Sequence, residues 1–320
     1  DLPNINGEIK VATDPYPPFI FVKEDMKVGY DVEILTLFAK ENGYALTIDA
    51  VAADAILAGV QTGKYDMGIG GINKTPEREN ELYFSEPTYS GGTALLISKN
   101  NSNNKTSFID SLKDNFNRTF IKENRWRLFV QGIDVTLMIS ILSVLLGTIF
   151  GFLVYMLCRK GNLFANKLAQ LFVWLINGMP TVVLLMVFYY IVFGSVQISG
   201  IAVSIIAFTL VFASAVFNLL KMGVETINVG QKEAAYALGF SDKETFYSII
   251  LPQALPHILP SYKGEISSII KATSIVGYVA VQDVTKMADI VRSRTYEAFF
   301  PLIAVTVIYF ILASLLTRII

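Results

Sequence analysis

Apolar and polar positions divide the chain in two. Up to about residue 127, charges are interspersed with short apolar runs. Beyond it, Val135–Cys158 holds no charged residue over 24 positions, Leu168–Leu220 none over 53 and Ala298–Thr317 none over 20. A helix needs about 20 apolar residues to cross the hydrocarbon core of a bilayer. The longest run therefore holds two spans, with the stretch GSVQISG, Gly194 to Gly200, as the turn between them. A weaker run near 264–282 is interrupted by Lys271. The pattern predicts five spans, near 130–158, 168–193, 200–220, 264–282 and 298–317.

The first hundred residues alternate instead between short β-like and helix-like segments. Glu8–Thr13, Leu46–Val51, Asp66–Gly71 and Thr93–Lys99 read as strands, and Tyr30–Asn42 and Ala55–Thr62 as helices. Thr75-Pro76-Glu77 is a helix start, with a capping hydroxyl, a proline at the first helical position and an acid in the first turn. Such alternation predicts a small α/β lobe whose ligands sit at the carboxyl ends of the strands. Between lobe and spans, Phe108, Leu112, Phe116 and Phe120 recur every fourth residue and Trp126 follows. That spacing predicts a helix lying in the membrane interface with Trp126 as anchor, or a linker helix packed on the lobe.

Composition sharpens this division. Of 320 residues 53% are hydrophobic and only 17% charged, against about a quarter in ordinary soluble proteins. A formal net charge of −1 gives no basic surface for nucleic acid. One cysteine, Cys158, and one histidine, His257, exclude a disulfide framework and a Cys- or His-based metal cluster. Cys158 reads as an inert thiol at the membrane edge and His257 as structural. The loop after the first span carries Arg159, Lys160 and Lys167 with no acid, which places it in the cytoplasm and the N-terminal lobe outside. The chain begins at Asp1 without Met or a signal peptide, so an exported lobe implies a leader or upstream segment outside this sequence.

One ordered, charged stretch, GQKEAAYALGFSDKETFYSIILPQALP from Gly230 to Pro256, interrupts the apolar half. EAAYALG is a helix ending at Gly239, a natural C-cap. Ser241 with Glu244 forms a capping box for a second helix. That helix carries Phe246, Ile249 and Ile250 on its apolar side and is expected to stop at Pro252. Glu233, Ala234, Ala235, Gly239, Ile249, Leu251 and Pro252 together resemble the coupling loop of ABC-importer permeases. Flanking NGMPTVVLLMVFYY and KGEISSIIKATS resemble the second and fourth spans of the polar-amino-acid (histidine/glutamine) permeases, and the likeness extends over residues 107–320. The resemblance implies a type I permease domain of five helices over 128–320, with a coupling loop at 221–260 docked on a separate ATP-hydrolysing subunit. Met179, Asn218 and Ala272 stand where that family usually has Thr, Glu and Asp. Lys271 is a candidate for the transport pathway, since a charge within a span is costly; pairing with Glu265, or snorkelling, is the other reading.

In the lobe, VATDPYPPF, VGYDVEIL, LAGVQTGKYDMGIGG and NKTPERENELYFSEPTY resemble the first lobe of the family 3 solute-binding proteins, which bind polar amino acids. This implies a periplasmic-binding-protein-like α/β lobe over 1–99, joined to the spans by a linker and helix at 100–127. It also implies that Arg78 clamps the ligand's α-carboxylate, a task suited to the planar guanidinium fork. Asp14, Tyr16 and Ala53 then line the pocket, and Gly70, Gly71 and Asn73 meet the ligand's main-chain groups. Ala53 stands where an aromatic usually stacks on the ligand, and Asn73 where Ser or Thr is usual. Such proteins close two lobes on a ligand; the second is expected upstream of Asp1 or on another chain, and one lobe alone would bind weakly.

These readings converge on a multi-pass inner-membrane permease subunit of an ATP-driven importer for polar amino acids, with its receptor fused outside. Expected partners are two copies of an ATP-binding subunit, a second permease subunit, the amino-acid ligand and the lipid bilayer. Neither GxxxxGKS nor GxxxxGKT occurs, so ATP and Mg are assigned to the partner ATPase, and this chain itself is expected to need no cofactor and to catalyse nothing. The alternative is a ligand-gated channel or sensory receptor using the same binding fold.

Overall fold

The computed structural model describes residues 7–23, 26–89, 108–295, 297 and 299–319. The expected strand at 93–99 and the polar linker before residue 108 lie outside those residues. In chain order the elements are β1 (Glu8–Thr13), β2 (Phe21–Lys23), β3 (Met26–Val28), α1 (Tyr30–Asn42), β4 (Ala45–Ala50), α2 (Ala53–Gln61), β5 (Met67–Ile69) and α3 (Pro76–Glu79). Helices follow: α4 (Phe108–Phe116), α5 (Trp126–Cys158), α6 (Leu163–Asn177), α7 (Thr181–Met186), α8 (Gly200–Glu225), α9 (Val229–Ala237), α10 (Asp242–Glu244), α11 (Leu251–Ala272), α12 (Val284–Thr295) and α13 (Phe299–Ile319). By contact the chain forms two compact units, residues 1–132 with 280–305, and residues 133–279 with 306–320.

The first unit holds a three-stranded parallel sheet in the order β4-β1-β5, with β1 central. Ile9, Val11 and Ala12 of that strand are fully buried, as a strand covered on both faces requires. Gly29 caps α1 at φ 134°, and a Cβ there would lie 2.4 Å from the Phe19 carbonyl oxygen, so only glycine fits. The β2–β3 hairpin was not expected, because its strands are only three residues long. Thr75 caps α3 as its sequence predicts, its hydroxyl accepting from Arg78 N at 3.4 Å. The apolar stripe of α4 continues through a π-helical turn at Asn117–Ile121, which brings Phe116 and Phe120 to 4.9 Å between ring centroids.

The second unit is helical. Three helices are long and apolar enough to cross a membrane (Trp126–Cys158, Gly200–Glu225 and Phe299–Arg318), and two bent pairs raise the number to at most five. The second expected span is not one straight helix: α6 and the Thr181–Val192 segment meet at 103°. Pro180 cannot continue a helix hydrogen-bond ladder and disfavours helical geometry at Met179, so the chain stops at Asn177 and restarts at Thr181. The fourth expected span is also longer than 264–282, because the helix does not stop at Pro252. A π-helical turn at Thr245–Ile250 precedes it, and the wider turn leaves room for the proline ring. Pro252, Pro256 and Pro260 then follow at four-residue intervals on an exposed stripe of α11.

Close packing of α5 on α8 runs through Gly147 and Gly151. A Cβ at Gly147 would sit 2.8 Å from Phe212 Cβ, and one at Gly151 2.5 Å from the Ala213 carbonyl oxygen. In lipid no hydrophobic force draws helices together, so small residues at such a seam supply the van der Waals contact instead.

The first helix, the glycine turn and the capping box of the expected knob are present, but its second helix runs on into α11 instead of ending at Pro252. Gly239 takes φ 86° after α9, Phe240 N donates to Ala235 O at 3.1 Å and Gly239 N to Tyr236 O at 3.0 Å, the Schellman arrangement. Ser241 N donates to Glu244 Oε2 at 2.8 Å and Glu244 N to Ser241 Oγ at 3.4 Å, a complete capping box. These bonds, from the Ser241 hydroxyl first, hold the Glu244 carboxyl below the usual carboxylate range.

Two predictions follow from this packing. Gly151→Leu should destabilise the folded chain in detergent by about 1–3 kcal/mol through overpacking, read as a shifted denaturation midpoint, whereas Gly264→Ala, with no atom near its added methyl, should not. A depressed Glu244 pKa means that the cap's contribution is present above the ordinary carboxylate range and is lost as pH falls through the folded value. Amide exchange over residues 241–250 should therefore lose protection on acidification below about pH 4, and Glu244→Gln should abolish that dependence.

Candidate functional site

Two clusters carry the expected chemistry, one in each unit. In the first unit the sheet order decides the geometry. Asp14 follows β1, Gly70 and Gly71 follow β5, and Val51 follows β4, so the carboxyl ends of three adjacent strands supply them together. Gly70 takes φ 114° and Gly71 φ 69°. A Cβ on Gly71 would come within 2.9 Å of the Tyr16 ring, and one on Gly70 within 3.1 Å of the Asp14 carbonyl oxygen, so both glycines lie against the Asp14–Tyr16 segment. The Gly70 N–H is already committed to Asp31 Oδ2 at 3.1 Å. Ala53 and Asn73 are exposed.

Arg78 lies in the short α3, where the Asn73 carbonyl accepts from its Nη1 at 2.9 Å. Among the side chains described, Glu81 does not pair with Arg78 but accepts from Gln61 Nε2 at 3.2 Å. The Arg78 guanidinium is anchored at one nitrogen by the Asn73 carbonyl.

Sequence reasoning did not single out the aromatic wall beside this cluster. Tyr16 and Phe19 stack in parallel at 5.9 Å, Phe19 meets Tyr89 edge-on at 5.4 Å, and Tyr30 donates from its hydroxyl to Thr88 O at 2.7 Å. The signal was present in VATDPYPPF, whose last residue is Phe19. Lys286, in the first turn of α12, was also unforeseen: its Nζ lies 2.5 Å from Asp14 Oδ1 and 3.0 Å from Val51 O. No sequence pattern links positions 272 residues apart.

In the second unit the knob divides its expected residues by face. Ala235 is buried and Ile249 and Leu251 are half-buried, whereas Glu233, Ala234, Gly239 and Pro252 are exposed. Leu238 is 77% exposed, and Tyr236, Phe240 and Tyr247 of the same knob are also open. Arg159, at the end of α5, fixes the knob. Its Nη2 donates to Asp242 Oδ2 at 2.7 Å and Asp242 O at 3.2 Å, and its guanidinium lies 4.2 Å above the Phe246 ring. Tyr155, one turn earlier, packs on the same ring at 6.1 Å.

Lys271 is exposed and Glu265 half-buried on α11, and no ion pair joins them. Six residues turn an α-helix by about 600°, which leaves the two side chains some 120° apart around its axis. The expected alternative in which they pair is thereby excluded.

The profile of bacterial extracellular solute-binding proteins, family 3, matches residues 9–252. A glutamine transport system permease protein, GlnP, of Rickettsia typhi is 32% identical over 192 residues, covering 59% of this chain and 87% of its own. The arginine transport system permease protein ArtQ of Bacillus subtilis is 31% identical over 200 residues, with the same coverage. Among solved structures, an amino acid ABC transporter crystallised with histidines superimposes with a TM-score of 0.56 at 26% identity, covering 67% of this chain and 99% of that one. With a binding-protein profile matching most of its length and a permease relative covered almost end to end, this chain belongs both to the family 3 extracellular solute-binding proteins and to the permeases of amino-acid ABC transport systems.

Proposed function

We propose that the chain is the membrane-spanning subunit of an ATP-driven importer for polar amino acids, with its receptor lobe fused on the outer side. The observation that carries this is the knob: the short α9, a Schellman turn and the capped start of the helix that runs on into α11, with Leu238, Tyr236, Phe240 and Tyr247 exposed. A cluster of open apolar side chains on a rigid base is the mark of a surface built to be covered by another protein. Its occupant is an ATPase subunit, present in two copies, which brings ATP and Mg. The basic loop at Arg159, Lys160 and Lys167 supports a cytoplasmic knob and C-terminus and an external lobe.

The five spans then comprise the three long helices and the two bent pairs. A second permease subunit completes the pathway, and Lys271, exposed near the end of α11, lies on it with Glu265. In the lobe, Arg78 takes the ligand's α-carboxylate through the fork nitrogen left open by Asn73. Tyr16 and Phe19 face the side chain, with Ala53 leaving room beside them. Asp14 and the backbone of Gly70, Gly71 and Asn73 complete the polar lining. Names of the similar permeases, which specify glutamine and arginine, support a polar amino acid as cargo.

Uptake of labelled glutamine and arginine into proteoliposomes, with the ATPase subunit and internal ATP, tests this reading. Leu238→Asp and Gly239→Val should each cut uptake at least about tenfold while membrane insertion persists, because the first spoils the docking surface and the second forbids the left-handed turn. Undiminished uptake in both would overturn the role given to the knob. Arg78→Ala should weaken ligand binding by about 1.5–3 kcal/mol, measured by calorimetry, as expected for losing a hydrogen bond to a charged group.

A further inference from the structure

We propose that Lys286 is a specificity-determining residue of the external ligand site. It neutralises Asp14, so that the site takes amino acids with uncharged polar side chains and excludes those with cationic ones. This deepens the functional reading above and rests on it.

Asp14 is the one carboxylate among the residues assigned to the ligand. Alone at the carboxyl ends of the strands, it would attract the ammonium or guanidinium of a cationic side chain, the strongest partner an amino acid offers. That place is taken. Lys286 Nζ lies 2.5 Å from Asp14 Oδ1 and donates also to Val51 O at 3.0 Å, which engages two of its three protons. Its side chain is only 7% exposed, while that of Asp14 remains 38% exposed. The pair is therefore buried on the lysine side and open on the carboxylate side.

The lysine is also held in place. Asp283 caps α12, with its Oδ1 accepting from Lys286 N at 3.0 Å and its Oδ2 from Thr285 N at 3.1 Å. Val284, Met287, Ala288 and Ile290 of the same helix are buried. Asp289, one turn on, is paired with Arg292 at 2.9 Å and feels the charge of Lys286 nearby, but the carboxylate in direct contact with the Lys286 ammonium is that of Asp14.

A cationic ligand reaching Asp14 would have to displace this ammonium and leave it buried with only the Val51 carbonyl as its described partner. Breaking a buried pair on one side is far more costly than never forming it. A carboxamide or hydroxyl has no such requirement; it can donate to the open oxygen of Asp14 with the pair intact. The exclusion thus acts through the penalty on the wrong ligand, which is how specificity commonly arises.

Competition binding of glutamine and arginine to the full chain in lipid nanodiscs tests this. The wild type should prefer glutamine by at least about tenfold, Lys286→Met should raise arginine affinity by about tenfold or more with glutamine within about threefold, and Lys286→Arg should keep the exclusion. Adding Asp14→Asn to Lys286→Met should cancel the gain. An unchanged ratio in a folded Lys286→Met, or arginine binding to the wild type as tightly as glutamine, overturns the proposal; the second needs no variant. Failure of the wild type to bind any amino acid would instead overturn the reading of the lobe, and the role of Lys286 with it.

Discussion

Backbone groups in hydrocarbon find no water, so every break in a membrane helix needs an internal partner. The helical unit answers that constraint at one break with a side chain: the Tyr278 carbonyl, in the 3-10 turn after α11, accepts from the Tyr190 hydroxyl at 2.8 Å. Beside the α6 break, two polar side chains also satisfy each other, the Asn177 oxygen accepting from the Ser214 hydroxyl of α8 at 2.9 Å. The three prolines of α11 each remove a ladder hydrogen bond, and they do so on one exposed stripe after a π-helical turn that makes room for the first. The same constraint favours seams of small residues: Gly147 and Gly151 let α5 approach the backbone of α8, where larger side chains would hold the helices apart.

On the function proposed above, a rigid frame matters because movement at the knob's tip has to be transmitted. The nine-residue α9 is too short to be stable on its own. The knob is fixed by three local devices: the Schellman turn at Gly239, the capping box at Ser241 and the Arg159 clamp onto Asp242 and Phe246. The clamp joins the knob to the end of α5, so that on the proposed function a push on the tip would be delivered to a span rather than absorbed in a loop.

Local signals were legible in the sequence, and the distant ones were not. Gly239, Ser241 with Glu244, Thr75 and the strand at Glu8–Thr13 are each specified by residues within a few positions, and each forms as its pattern predicts. The second span was read as straight because hydropathy does not register a bend, although Gly178-Met179-Pro180 carried the warning. The helix was ended at Pro252 by a rule that assumes α-geometry throughout, and a π-helical turn upstream removes that assumption. For the candidate site, Asp14, Gly70 and Gly71 come together because β1 and β5 are neighbours in the sheet, which βα alternation implies. Lys286 approaches Asp14 across most of the chain, and nothing local at either position encodes it.

That long-range pair also explains why an aspartate would be kept where its charge is cancelled. An asparagine at position 14 would present an uncharged group to the ligand without help, but it would leave Lys286 buried with only the Val51 carbonyl as partner. A methionine at position 286 would relieve that burial but leave Asp14 free to take cations. Each residue is tolerable only with the other, since one half of a buried pair costs more than both or neither. On the reading proposed above the pair sets the ligand's charge class, and it fixes the start of α12 against the ends of β1 and β4.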